Sequence, residues 1–216
     1  MSKILNALRK KQIPWRSDYG LPREYNTNII YTGIDYLLLN IEVEEKKYQS
    51  QFWVETELDN REPLNVKDKK LYNTNIILNF VQKFNEAERI IQSTKVYIDY
   101  KYGNKALYFF PPCDYILFPL RSQFVSVGAY YNALFHELIH WTEPRLNWNG
   151  SQAEQELRAE IGSDILTSHL FLPKLEYHLR YNHIDYLDRW LNLGEEKIEE
   201  ITNAAFKAVN FLRKLE

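Results

Sequence analysis

Cysteine is nearly missing from these 216 residues: Cys113 stands alone, so no disulfide can close within the chain. A lone thiol fits a reducing compartment. No apolar run approaches the ~18 residues that a membrane-spanning helix requires. The first residues lack an apolar stretch followed by a small-residue cleavage site, so no secretion signal is expected and the cytoplasm is the default compartment. Internal repeats and low-complexity tracts are lacking as well. Net charge is only −2, so no overall field draws the chain to nucleic acid. Histidine is scarce, with five in the chain, so any regular spacing among them carries information.

What is present is a core. Apolar residues make up 45% of the chain and aromatics 15%, which excludes a disordered protein. The length suits one large or two small domains.

Two of the five histidines stand four apart, in His136-Glu137-Leu138-Ile139-His140. The surrounding run, Ala129 to Trp141, is apolar nearly all round and predicts a buried helix. On a helix His136 and His140 share a face, with Cβ atoms roughly 5–6 Å apart. Both imidazoles can then reach one Zn²⁺ at about 2.0–2.1 Å. Glu137 projects to one side, where it can take a proton from water at the metal. This is the H-E-x-x-H pattern of zinc metallopeptidases. Chance placement at this composition yields it roughly one time in a hundred. Two surface histidines on an ordinary helix would be the bland reading, but buried imidazoles need partners, and a metal supplies them.

A third protein ligand is required, with a fourth position open if the site is catalytic. The metzincin arrangement would put a histidine six residues after His140; Leu146 stands there, and Glu143 replaces the glycine, so that subclass is excluded. An acid on the next helix is the alternative. Ser151-Gln152-Ala153-Glu154 is a capping box. Behind it runs an apolar stripe of Leu157, Ile161 and Ile165, flanked by Glu156, Glu160 and Asp164 at i, i+4 and i+8. Glu156 is the expected ligand. Glu160, one turn on, would orient a histidine through its outer nitrogen. Asp164 reads as part of a solvated face.

Elsewhere the patterns are ordinary. Residues 2–12 read as a short amphipathic helix in a stretch, Met1 to Ser17, that holds no acid. Such a strip beside Trp15 and Arg16 has the composition of a single-strand binding surface. The residues by themselves favour the plainer reading, a helix packed by Ile4, Leu5 and Leu8 with a solvated basic side and Trp15 in the core. Asp35 should cap a helix from Tyr36 to about Lys46, although Leu39, Ile41 and Val43 alternate as in a strand. Phe52 to Val54 reads as a strand, and Glu55 to Lys70 as a loop. A helix is expected over 84–93. Val96 to Tyr100 and Ala106 to Phe110 should pair as a hairpin across Tyr102-Gly103-Asn104. Tyr115 to Phe118 makes a third strand. In zinc peptidases of this build an edge strand lines the cleft and pairs with extended substrate. His178, His183 or Tyr177 could stabilise an oxyanion, and the spacing selects none of them. Glu195 to Leu215 reads as a helix whose apolar stripe is core packing or a dimer seam.

The segment Tyr130 to Thr142 resembles the metallopeptidase motif of ArdC-type antirestriction proteins. Glu156-Leu157-Arg158-Ala159-Glu160-Ile161-Gly162 is similar to that family's second helix. Ala106 to Tyr108, Asp114 to Pro119 and Phe124 resemble the strand segment before it. Ile13 to Arg16, Tyr31 to Leu39, Trp53 and Leu71 to Thr74 are similar to the family's N-terminal domain. Asp35 stands where the family usually has Asn, and a Gly- and Lys-rich strand segment between Trp53 and Tyr72 is replaced by a short acidic-basic stretch.

The resemblance implies an α+β chain: a small N-terminal α/β domain over 1–82 that binds single-stranded DNA, and a zincin-like metallopeptidase domain over 83–216. It would hold one Zn²⁺, or another divalent metal, on His136, His140 and Glu156, with Glu137 as base and a peptide or protein as substrate. DNA contacts would fall to Trp15 and Arg16. The expected activity is that of a zinc-dependent peptidase in an antirestriction factor carried by a mobile genetic element. The alternatives are a DNA-protecting module with a structural or vestigial metal site, and a helical interaction protein without metal.

Overall fold

Ser2 accepts the amide of Leu5 at 3.2 Å and opens α1 (Lys3–Arg9), which buries Ile4, Ala7 and Leu8. A computed structural model describes residues 2–16, 20–24, 27–48, 51–55, 61–63, 84–170, 172 and 184–214. In chain order there follow β1 (Arg23–Glu24), α2 (Gly33–Lys46), β2 (Phe52–Glu55) and β3 (Arg61–Pro63). Next come α3 (84–93), β4 (Tyr97–Lys101), β5 (Leu107–Phe109) and β6 (Tyr115–Pro119). The helices α4 (Val127–Trp141), α5 (Gln152–His169), α6 (Ile184–Leu191) and α7 (Glu195–Lys214) complete the fold. It is the expected α+β arrangement. His178, His183 and Tyr177 lie outside the described residues, as does the expected domain boundary at 82.

α2 explains its own strand-like pattern. Leu39 and Val43, one turn apart, pack with Trp53 in a small cluster, while Leu37 and Ile41, also one turn apart, face the main core. Two helical stripes interleave, and the sequence reads as alternation. The helix begins at Thr32–Gly33 rather than at Asp35, which sits in its first turn. Gly33 has φ +59°, a left-handed conformation that favours glycine, and it lies against the Asn203 side chain of α7.

The second sheet corrects the expected hairpin. Its order is β4-β6-β5: β6 lies in the middle, parallel to β4 and antiparallel to β5. Residues 102–104 bend, but β4 and β5 do not pair. β6 is the most apolar of the three, and Ile116 and Phe118 are fully buried on its core side. β4 carries Asp99 and Lys101, charges that an edge tolerates and a centre does not.

One continuous buried core runs from Ile4, Trp15 and Tyr36 through α4 and α5 to Leu212. Trp15 meets Trp190 of α6 edge-on at 5.5 Å, and Tyr36 meets Phe206 of α7 at 5.3 Å. The apolar stripe of α7 is therefore core packing.

Candidate metal centre

Ser126 accepts the amide of Ala129 at 3.1 Å and starts α4, which presents His136 and His140 one turn apart. The capping box expected at Ser151 and Glu154 forms, with Glu154 accepting the Ser151 amide at 2.7 Å, and starts α5 beside α4. The two helices approach closely because Gly162 lies against Ile139. This contact brings Glu156 over the histidine pair.

The three side chains converge. His136 Nε2 lies 3.2 Å from His140 Nε2 and 3.4 Å from Glu156 Oε2, and His140 Nε2 lies 3.9 Å from Glu156 Oε1. A tetrahedral centre with bonds of about 2.0–2.1 Å has ligands roughly 3.3 Å apart. Two imidazoles and one carboxylate, each offering an atom to one point, fit a divalent cation.

The surroundings hold the donors in place. His140 Nδ1 faces Glu143 Oε1 at 2.8 Å, which turns Nε2 inward. Glu143 also accepts from Gln155 at 3.1 Å and lies 3.9 Å from the fully buried Arg158. Arg158 donates to Ile139 O at 2.9 Å and to Thr142 Oγ1 at 2.8 Å, tying α5 to the end of α4. Burial pushes its guanidinium down to about 10, against the pull of Glu143. His136 Nδ1 lies 3.7 Å from Glu160 Oε2.

Charge in the site follows from these contacts. Burial alone would lower the pKa of His136, but the bond to Glu156 and the charges of Glu137 and Glu160 outweigh it and raise it to about 9. Burial opposes ionisation of Glu156, yet its bond to His136 and the charges of His136 and His140 keep its carboxyl below the usual range.

Glu137 is 6% exposed and faces the sheet. Its Oε2 accepts the backbone N–H of Tyr108 on β5 at 2.7 Å. Tyr108 is itself fixed, donating its hydroxyl to Asp114 Oδ1 at 2.6 Å, and Asp114 Oδ2 accepts from Arg145 at 2.6 Å. The edge strand and Glu137 are thus held together.

Two expectations are corrected. Trp15 is 0% exposed, with its ring against Trp190, so it offers no face to a base. Arg16 turns inward and pairs with Glu160 Oε1 at 2.5 Å and Asp164 Oδ2 at 3.1 Å, so the resting structure presents neither side chain as an open single-strand surface. Asp164 is buried, not part of a solvated face. Sequence reasoning also passed over Glu143 and Arg158. Glu143 had a signal, since it stands one helical turn after His140.

Known proteins complete the picture. A DNA primase TraC of Escherichia coli is 31% identical over 161 residues, covering 70% of this chain and 10% of that protein. A second DNA primase TraC of the same organism is 35% identical over 131 residues, covering 56% and 12%. The chain therefore spans about a tenth of the length of these curated relatives. Among solved structures, the antirestriction protein ArdC of plasmid R388 superposes in its metal-free form with a TM-score of 0.71 at 21% identity, covering 99% of this chain and 94% of that one. Its Mn(II)-bound form gives 0.70. The expected resemblance to ArdC thus holds as a likeness of fold over nearly the whole chain. Residues 85–207, which carry α4, α5 and every converging donor, match the zincin-like metallopeptidases MPTase-PolyVal, and the chain belongs to that family.

Proposed function

We propose that this protein is an antirestriction-type factor whose site cleaves peptide bonds with one divalent metal, zinc by its donor set, on His136, His140 and Glu156. The observation that carries this reading is their convergence, with Nε2 atoms 3.2 Å apart, beside the buried Glu137. When bound, the metal supplies a Lewis acid that polarises a carbonyl and acidifies water. The chain's own residues do the rest. Glu137, with one oxygen held by the Tyr108 amide, takes a proton from the attacking water and returns it to the leaving amine. Glu143 holds His140 in orientation, and Glu160 faces the outer nitrogen of His136. The edge of β5 passes Glu137 and gives an extended peptide a strand to pair with.

Glu137→Gln tests this reading, because it keeps size and helix propensity while removing the base. The variant should keep its fold and bound metal and lose at least about a hundredfold in hydrolysis. Protection of DNA from restriction in cells should fall with it. Undiminished protection in a metal-loaded Glu137→Gln variant would mean that peptide cleavage is not the protective chemistry.

A second reading is favoured by the DNA primase TraC relatives and by the ArdC-like fold. Here residues 1–82 bind and shield single-stranded DNA, residues 83–216 carry the metal, and the protein works in the cytoplasm. Affinity for single strands should then fall steeply with salt. Absence of binding at low salt removes this reading.

A further inference from the structure

Arg16 comes from far outside the matched family segment, yet it reaches the back of the metal centre. Its guanidinium spans two acids one turn apart on α5. Nη2 donates to Glu160 Oε1 at 2.5 Å and Nε to Asp164 Oδ2 at 3.1 Å. A planar fork suits this double contact, and a point charge does not. Glu160 is 2% exposed, and a carboxyl group so deeply buried needs polar or charged partners close by. Its second oxygen lies 3.7 Å from His136 Nδ1. The other oxygen of Asp164 accepts from Asn132 at 3.3 Å, one turn before His136 on α4. The clamp therefore joins α4, α5 and the N-terminal segment at the outer nitrogen of a donor histidine.

The segment bearing Arg16 is itself anchored. Trp15 is buried against Trp190, and its carbonyl accepts the Tyr36 hydroxyl at 2.5 Å. Arg16 is thus delivered by a packed element and not by a wandering side chain.

We propose that the N-terminal segment is a working part of the metal centre: Arg16 is a positioning residue that holds Glu160 toward His136, and metal binding and the docking of residues 2–16 stabilise each other. This inference rests on the metal reading above. Coupling of this kind is reciprocal. A tighter segment means tighter metal, and bound metal means a tighter segment. A purely structural ion pair would show neither.

The test uses the full chain, prepared metal-free and titrated with Zn²⁺ against a competing chelator. Hydrogen exchange over residues 2–16 is followed with and without Zn²⁺. Arg16→Gln should bind Zn²⁺ about 10–100-fold more weakly than wild type. Arg16→Lys, which keeps the charge and loses the fork, should recover part of that loss. Zn²⁺ should slow exchange over 2–16 in the wild type and leave it unchanged in Arg16→Gln. A folded Arg16→Gln that binds Zn²⁺ within about twofold of wild type, with the wild-type exchange response, overturns the proposal. Should Arg16→Gln not fold, Glu160→Gln replaces it: weakened binding with loss of the exchange response supports the proposal, and undiminished affinity overturns it. Failure of the wild type to bind Zn²⁺ defeats the metal reading itself. Wild-type binding with an indifferent Arg16→Gln defeats only the coupling.

Discussion

His169 ends α5, half-buried and near Arg213 and Arg23. Burial first, then the nearby Arg213 and Arg23, push its pKa down to about 4. The unfolded chain takes up a proton near the ordinary histidine value of about 6.5, while the folded chain does not until about 4. Stability is therefore present above about 6.5 and is lost as pH falls toward 4. Between about pH 7 and about pH 5 this residue should cost about 1–2 kcal/mol. His169→Gln should remove that part of the acid loss, measured as urea midpoints at the two pH values. An unchanged acid loss would show that the charge is tolerated. At this scale the sequence showed which side chains converge and not what holds them. His136, Glu137 and His140 were legible because one motif fixes their spacing, and Glu156 because it follows a capping box on an amphipathic helix. The pairing of Arg16 with Asp164 is not legible because it spans 148 positions in sequence, a distance over which no local pattern operates.

α4 and α5 form the element pair on which the site depends, and Gly162 sets their spacing. A Cβ there would meet Ile139 Cδ1 at 2.7 Å and Cγ1 at 2.8 Å, closer than carbon atoms pack. Ile139 is fully buried and has little room to yield. Alanine would gain about 1 kcal/mol in helix propensity, but overpacking costs about 1–3 kcal/mol. Gly162→Ala should therefore lower stability by about 1 kcal/mol and weaken metal binding, because Glu156 rides on α5 and the histidines on α4. Thermal unfolding and Zn²⁺ titration check both, and a stabilised variant with unaltered affinity would show that the helices part without moving the donors. The helices were legible from period and caps. Strand pairing was not: β4 and β5 adjoin in sequence, but the apolar strand Tyr115–Pro119 took the centre between them. Which strand is central depends on burial of the whole sheet, and a turn signal at Gly103 does not report it.

At the scale of the molecule, Trp15 decides between two architectures. A separate N-terminal domain over 1–82 would melt apart from the metal-binding part. The core argues for joint unfolding, since Ile4, Leu8, Trp15, Leu37 and Ile41 share one buried cluster with α4, α5 and α7. Trp15 sits within it at 0% exposure, against Trp190, whose indole N–H donates to Ala153 O near the start of α5. Truncating a buried tryptophan costs about 3–5 kcal/mol, a large share of a typical net stability of about 5–15 kcal/mol. Trp15→Ala should therefore lower the unfolding midpoint of the entire chain. It should do so in one transition, seen equally by near-UV signals from the aromatic core and by far-UV helix content. Bound Zn²⁺ should raise the midpoint of wild type, by linkage to the folded state alone. Had Trp15 been a base-stacking surface residue, its removal would leave the midpoint in place and weaken single-strand binding only. Two separate transitions, with Trp15→Ala shifting just the earlier one, would instead restore the division near residue 82 and confine the tryptophan's contribution to its own half.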